Sequence, residues 1–404
     1  MQIIIPTHFG VESLVKEELL ALKYTPDQIE AFNGQVILTP GTENFAIAVA
    51  RCNLWLRTAE RVLVGVGKGR AVTFDELFDL AQTLPWEEII PEGWAFHVNG
   101  YSRKSALFGI PACQGNIKKA IVKRICSRRG LGEGAQLPED ELYGLLKIQF
   151  SIVDDVVTFM VDTSGDGLHK RGYRPLAHIA PIKETLAAAL IMLSKWTPFS
   201  EEALVDPFCG SGTIPIEAAL IAMNIAPGIN RNFAAEKWPV IGVRAFQTAR
   251  EEAMDMRDSE PIESPFIFGA DIDERNIKLS RENARRADIE HLISFRKGDA
   301  TTLTVPTITS WTGHSKALII ANPPYGERLL DIEQAKDIFK KIGQCWIENG
   351  KAREGLRISI IAPYESFESD FGGVADKRRK LYNGMIPCNM FHYFKHFRMP
   401  RDTK

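Results

Sequence analysis

Ala203-Leu204-Val205-Asp206-Pro207-Phe208-Cys209-Gly210-Ser211-Gly212-Thr213 reads as an apolar strand, a glycine turn and the start of the helix Ile214 to Met223. Gly210 and Gly212 let the backbone approach a ligand closely, and the N–H groups at the helix start favour an anionic group such as a carboxylate or phosphate. Asp206 adds a carboxylate beside the turn. A dinucleotide fingerprint would need a third glycine where Pro215 stands, and an acid roughly 20 residues on at a strand end. Neither condition is met.

The next strand ending in an acid is Phe266-Ile267-Phe268-Gly269-Ala270-Asp271, with Asp273 expected to cap the helix Glu274 to Arg285. A carboxylate at the end of a second strand can take both ribose hydroxyls. Asp299 ends a third strand-like segment, Ile293-Ser294-Phe295-Arg296-Lys297-Gly298-Asp299. Asn322 ends a fourth, Ala317-Leu318-Ile319-Ile320-Ala321-Asn322. In an open α/β sheet such ends line one crevice, where ligands bind. Each Asp taken singly is as well explained as a helix cap or loop residue.

The fourth segment runs on as Asn322-Pro323-Pro324-Tyr325-Gly326-Glu327-Arg328-Leu329. The Asn322 side-chain oxygen and the Pro323 carbonyl can accept both N–H bonds of an aromatic amino group, turning its lone pair toward an electrophile. Tyr325 can stack on the same base. A rigid Asn-Pro-Pro turn is the alternative for this run, because proline fixes φ and removes a donor.

With these motifs the chain resembles the S-adenosylmethionine-dependent class I methyltransferases, in the branch that carries Asn-Pro-Pro-Tyr for amino-group methylation. The resemblance implies an α/β, Rossmann-like core in which Asp206, Gly210 and Gly212 hold the methionine part of the cofactor S-adenosylmethionine. Asp271 would hold its ribose and Asp299 its adenine amino group, while Asn322, Pro323, Pro324 and Tyr325 form the catalytic motif. Leu168-His169-Lys170-Arg171-Gly172-Tyr173-Arg174 and Ala180 to Leu186 look like the family's element that closes over the cofactor; a basic linker before a helix N-terminus is the plainer alternative.

At 404 residues and 45% hydrophobic content the chain can bury several cores, and a net charge of −2 makes any basic footprint local. Six cysteines are scattered without metal-ligand or disulfide spacing, which fits a reduced cytoplasm and no metal. No apolar run approaches the roughly 18 residues of a membrane span.

The amino-terminal part reads as a small α+β module: strands over Met1 to Pro6 and Gly34 to Leu38, helices over Gly10 to Leu22, Thr42 to Cys52 and Thr73 to Gln82, and a strand from Ala95 to Gly100. After it, Tyr101-Ser102-Arg103-Lys104-Ser105 and the helix Pro111 to Arg129 carry eight cations. Ile117, Ile121 and Ile125 share one helix face and Lys119 and Lys123 lie roughly opposite, free for phosphates unless the run is simply a solvated face. Ser102 to Arg129, with Leu56 to Glu60, looks like a THUMP domain with its ferredoxin-like companion, an RNA-binding pair. That resemblance implies RNA contacts at Arg103, Lys104, Lys119 and Lys123.

Near the carboxyl end, Asp337 to Glu348 reads as a helix, Arg357 to Ala362 as a buried strand, and Arg379 to Asn383 with Asn389 to Phe394 as an antiparallel pair. Lys377-Arg378-Arg379-Lys380 reads as a solvated loop, with phosphate contact as the alternative.

Taken together, the chain is similar to the guanosine-N2 methyltransferase half of the large bacterial 23S ribosomal RNA enzyme, including the insert Pro227 to Trp238 that separates Asp271 from the glycine loop. The expected layout is a ferredoxin-like part over 1–45, a THUMP domain over 46–163, and a methyltransferase domain over 164–404 with a linker at 164–182. A second methyltransferase domain follows in that enzyme; the chain ends at Lys404, and a second activity is not expected. The expected function is S-adenosylmethionine-dependent N2-methylation of guanosine in 23S ribosomal RNA, with no membrane partner. Adenine-N6 methylation of DNA and a non-catalytic RNA-binding factor are the alternatives. Self-association, as a homodimer, is left open.

Overall fold

The computed structural model describes residues 1–132, 137, 141–174, 182–258, 266–324, 332–363, 365–384 and 386–396. The chain forms two compact units, each from three segments: Met1–Thr7, Glu18–Leu168 and Arg231–Glu252 in the first, His8–Glu17, His169–Asn230 and Ala253–Lys404 in the second. Helices α1 (Glu12–Ala21) and α8 (Gly242–Asp255) each contain one of these boundaries.

The first unit holds a seven-stranded sheet of β1 (Ile3–Pro6), β2 (Ile29–Phe32), β3 (Gln35–Leu38), β4 (Leu63–Arg70), β5 (Ala95–Arg103), β6 (Leu145–Val153) and β7 (Val156–Asp162), in the order β2-β3-β1-β4-β7-β6-β5. Only β5 and β6 pair in parallel. Parallel neighbours need a crossover, and the chain between them supplies one in α5 (Ile110–Arg128). Helix α2 (Phe45–Trp55) is capped by Asn44, and α3 (Phe74–Thr83) opens on a capping box of Thr73 and Glu76. The one-turn α4 (Trp86–Ile89) sets Trp86 edge-on against Phe159 of β7, so Phe150 and Phe159 mark the covered sheet face.

Strand β5 runs to Arg103 rather than ending at Gly100, because its pairing with β6 continues through Ser102↔Ile152 and Arg103↔Val153. Its alternate residues His97, Asn99, Tyr101 and Arg103 are exposed, on the face opposite Gly100 and Phe150.

The second unit is built on β8 (Glu202–Asp206), β9 (Ile267–Asp271), β10 (Ile293–Lys297), β11 (Lys316–Ala321), β14 (Leu356–Ala362), β15 (Lys377–Asn383) and β16 (Ile386–Tyr393); a two-residue hairpin, β12 (Ile347–Glu348) and β13 (Lys351–Ala352), stands apart. The sheet order is β10-β9-β8-β11-β14-β16-β15, parallel through the first five and closed by two antiparallel strands. Near-continuous apolar runs in β8, β11 and β14 follow from burial on both faces.

One apolar core contains residues of α6 (Glu184–Leu193), α7 (Thr213–Ala222) and α9 (Glu274–Arg286). The other contains residues of α10 (Val305–Thr312), α11 (Ile332–Trp346) and α12 (Phe367–Phe371). A Cβ on Gly343 of α11 would stand 2.1 Å from the Phe371 carbonyl oxygen, so only glycine allows α12 to pack there. The order reverses direction beside β8, which in doubly wound sheets marks the ligand crevice. Lys377 to Lys380 is not a loop: all four residues pair with β16, Lys377 with His392 and Lys380 with Asn389.

At the amino edge of this sheet Arg357 of β14 donates from Nε to Glu202 Oε1 of β8 at 2.7 Å, and its Nη1 reaches the Ser194 carbonyl at 3.0 Å. Both side chains are nearly buried. Removing one partner strands the other charge away from water, so Glu202→Ala should destabilise the protein by about 3–5 kcal/mol in denaturant unfolding. Replacing both residues with apolar ones should cost far less.

Candidate active site

The glycine turn after β8 is closed by its own Gly212 N–H on the Cys209 carbonyl at 2.7 Å and is anchored to its neighbours. The Cys209 N–H donates to the Ala270 carbonyl at 2.9 Å, and the Gly210 N–H to Asp271 Oδ2 at 3.0 Å. From α9, Ser280 Oγ donates to the Gly210 carbonyl at 2.8 Å and Asn283 Nδ2 to the Ser211 carbonyl at 2.9 Å. Gly210 and Gly212 have φ of +53° and +80°, and a Cβ on Gly212 would meet Ser280 Cβ at 3.0 Å. Glycine at 212 is thus required by conformation and by space. Ser280 and Asn283 were not read from the sequence; the available signal was two small polar residues at helical spacing after Ile277 on the buried side of α9.

Asp206 ends β8 with 1% of its surface exposed. Its Oδ1 accepts the Phe208 N–H at 3.0 Å, and the described residues record no cation beside it. Burial pushes its carboxyl up to about 8, aided by the nearby charge of Asp271 and opposed by the Phe208 hydrogen bond. Asp271, at the end of β9, accepts three hydrogen bonds: from Gly210, from the Asp273 N–H at 2.9 Å and from Asn276 Nδ2 at 3.0 Å. Its neighbour Ile272 is an exposed apolar residue. Asp273 caps α9, as its spacing predicts, accepting the Arg275 N–H.

Asp299 follows β10 and caps a short helical turn: both bonds from Thr301, N–H at 2.8 Å and Oγ1 at 2.7 Å, fall on Oδ1. Asn322 follows β11. Its Oδ1 is buried and has no hydrogen-bond donor among the described residues, which leaves a strong acceptor unmet. Pro323 is buried and Pro324 half-buried. Tyr325, Glu327 and Arg328 lie outside the described residues. The sheet thus sets the ends of β10, β9, β8 and β11 side by side, with Asp299, Asp271, Asp206 and Asn322 on one edge.

Arg171, Tyr173 and Arg174 enter the core rather than lying on a surface linker. Tyr173 donates its hydroxyl to Glu217 Oε1 at 3.0 Å, where Arg171 also pairs, and Arg174 Nη1 donates to Thr213 Oγ1 at 2.7 Å at the start of α7. Arg174 also pairs with Glu184 at 2.9 Å, yet burial dominates and raises the Glu184 carboxyl to about 7. Ala180 and Pro181 lie outside the described residues.

In the first unit the four expected RNA-contact residues do not form one patch. Arg103 extends the exposed sheet face and Lys104 sits in the turn after it with φ of +51°, whereas Lys119 and Lys123 are exposed on α5, the layer covering the other face. Arg124 and Arg129 of the same run are engaged inside the unit, Arg124 with Glu87 at 2.7 Å and Arg129 with the Ile90 carbonyl at 2.5 Å.

Residues 171–392 match the RMKL-like methyltransferase domain, residues 2–63 the RlmL ferredoxin-like domain, and residues 71–162 the THUMP domain. The "Putative RNA methyltransferase YpsC" of Bacillus subtilis (strain 168) is 39% identical over 393 residues, 97% of this chain and 95% of that protein. The "Ribosomal RNA large subunit methyltransferase K/L" of Syntrophotalea carbinolica is 32% identical over 95% of this chain, which spans 52% of that longer protein. Among solved structures, a "predicted N6-adenine-specific DNA methylase" from Listeria monocytogenes aligns with TM-score 0.84 at 39% identity, covering 97% of this chain and 96% of its own. SMU.472, solved with SAH, aligns with TM-score 0.84 at 36% identity over 99% of each chain.

The buried carboxyl makes a prediction for the ligand-free protein. Asp206 stays neutral in the folded state up to about pH 8 but ionises in the unfolded chain in the usual carboxylate range. Its contribution to stability is therefore present below that range and is lost as pH rises toward 8. Asp206→Asn, which cannot ionise, should gain in melting temperature relative to the wild type between pH 5 and pH 8, with the difference level above that. A difference independent of pH would show that Asp206 is ionised when folded.

Proposed function

The chain belongs to the RMKL-like methyltransferase family, joined to ferredoxin-like and THUMP domains, and on that premise we propose that it methylates the N2 amine of a guanosine in large-subunit ribosomal RNA with S-adenosylmethionine as donor. The observation that carries this reading is Asn322: a buried amide oxygen with no hydrogen-bond donor among the described residues, at the end of the strand beside that of Asp206. An exocyclic amine offers the N–H group that this acceptor lacks.

The residues fit the cofactor. Asp206, a buried carboxyl group with no cation beside it among the described residues, suits a ligand whose positive charge would favour its ionised form. Gly210 and Gly212 leave room for its methionine part, Asp271 keeps lone pairs for ribose hydroxyls, and Asp299 can accept from the adenine amino group. Arg174 donates to Thr213 at the start of α7 and so braces the helix end that would receive the methionine carboxylate. When bound, S-adenosylmethionine supplies a methyl group on a cationic sulfur that leaves as a neutral thioether. Asn322 Oδ1 and the Pro323 carbonyl accept the two N–H bonds of the amine, aim its lone pair and stabilise the positive charge that develops on nitrogen. Tyr325 is the expected stacking partner of a base drawn out of the RNA.

The THUMP match and the RNA methyltransferase names of the relatives support RNA as substrate, and Lys119 and Lys123 remain the candidate phosphate contacts on α5. Adenine-N6 methylation is the second reading, favoured by the description of the Listeria protein and by an amine-binding motif that suits either base.

Asn322→Ala should lower kcat for RNA by roughly 10²–10³-fold, as loss of a preorganised hydrogen-bond partner does. The calorimetric affinity for S-adenosylmethionine should stay within about twofold, since Asn322 faces the base. Purified protein should transfer methyl groups to ribosomal RNA and not to DNA, and digestion of that RNA should yield N2-methylguanosine by mass spectrometry. N6-methyladenine in DNA would replace this reading with the second one.

A further inference from the structure

The carboxyl edge that carries Asn322 continues past β14 to β16 and β15, and there it opens into a groove of about 490 Å³ lined by Glu365, Arg378, Lys380, Asn389 and Phe391. Strand register explains the composition. Arg378 stands opposite Phe391 and Lys380 opposite Asn389, and such pairs share one face of a sheet. Phe391 is buried and forms the floor, while Arg378 and Lys380 are exposed at the rim. Arg378 is tied by its Nε to Glu368 Oε1 at 2.9 Å, leaving its side chain 55% exposed, and Lys380 has no ion pair among the described residues. Two residues along the same face, Tyr382 meets Phe9 edge-on at 6.0 Å, both rings exposed.

A site for a simple anion would need only the two cations. This one adds an amide and a carboxylate that can pair with a base edge, and two exposed rings in line with them. Phosphate-binding cations interleaved with stacking surfaces suit a single-stranded nucleic acid. The position agrees. Ala321, just before Asn322, pairs with Ile360 of β14; β14 pairs with β16, and β16 with β15. Three strand spacings place Lys380 roughly 14 Å from the Asn322 strand, within reach of nucleotides flanking a target base.

We propose that this groove binds the RNA strand beside the target base, with Lys380 and Arg378 on its phosphates, Asn389 and Glu365 on a neighbouring base edge, and Tyr382 with Phe9 stacking on a further base. The proposal rests on the RNA reading above and adds a second point of attachment to it. None of these residues belongs to the cofactor-binding or amine-binding set.

The test uses the full chain and protein-free 23S ribosomal RNA transcribed in vitro. Lys380→Ala should raise KM for the RNA several-fold with kcat nearly unchanged, and should reduce the slope of log affinity against log salt by about 0.7, the share of one phosphate in a single strand. Lys380→Arg should restore that slope. Tyr382→Ala should weaken RNA binding roughly 5- to 100-fold, the range for loss of one stacked base. S-adenosylmethionine affinity, measured by calorimetry, should be unaltered in all three and so certify the fold. Wild-type KM and salt slope in Lys380→Ala and Tyr382→Ala, in a protein that does methylate the RNA, would overturn the groove and leave the RNA reading standing. Methyl transfer by the wild type to DNA and not to RNA would overturn both.

Discussion

A carboxylate stripped of water at the end of β8 governs how the site is put together. Asp206 is enclosed by the glycine turn, and the turn is anchored to the neighbouring strand through Gly210 on Asp271 and Cys209 on Ala270. Those ties cost Asp271 part of its hydrogen-bonding capacity and set its charge near Asp206, which is why burial and Asp271 both disfavour ionisation of Asp206. Asp206 is therefore held in its neutral form, and a counter-charge beside it would favour ionisation. The electrostatics at the end of β8 are in this sense the complement of a cationic ligand.

Much of this was legible in the sequence because it is local. A strand, two glycines and a helix start within eleven residues specify the turn, Asp273 precedes its helix at capping distance, and four strand ends followed by Asp or Asn follow from hydrophobic runs that stop abruptly. What was hidden is set by partners far along the chain. Strand β5 gains its last residues from β6, more than forty residues later, and Lys377 and Arg378 join the expected strand Arg379 to Asn383 because β16 returns beside them. Charge alone suggests a solvated loop there; only pairing shows alternate side chains pointing to one groove.

The basic run of the THUMP domain shows the same limit from the electrostatic side. Composition counts eight cations without distinguishing their uses, yet Arg124 and Arg129 are consumed by Glu87 and by carbonyls of the first unit, while Lys119 and Lys123 stay exposed. Arg103 and the α5 lysines, close in sequence, belong to opposite layers. Proximity along a chain does not make a surface. The buried Arg171, Tyr173 and Arg174 teach the converse: cations that look like a hydrophilic connector serve as core hydrogen-bond donors, because Glu217 and Glu184 wait for them.

The segment Arg231–Glu252 belongs to the first unit although it is encoded after the glycine turn of the second. Arg231 donates to the Gly167 carbonyl at 2.9 Å, the Trp238 indole to the Ile89 carbonyl at 2.8 Å, and Arg51 to Glu252 at 2.7 Å. During synthesis the amino-terminal unit therefore lacks these fastenings until residue 252 has left the ribosome, by which time the glycine turn has already emerged. Vectorial folding in two successive steps is closed to such a chain, and a fragment cut at the end of β7 is an unfinished body rather than an isolated RNA-binding module.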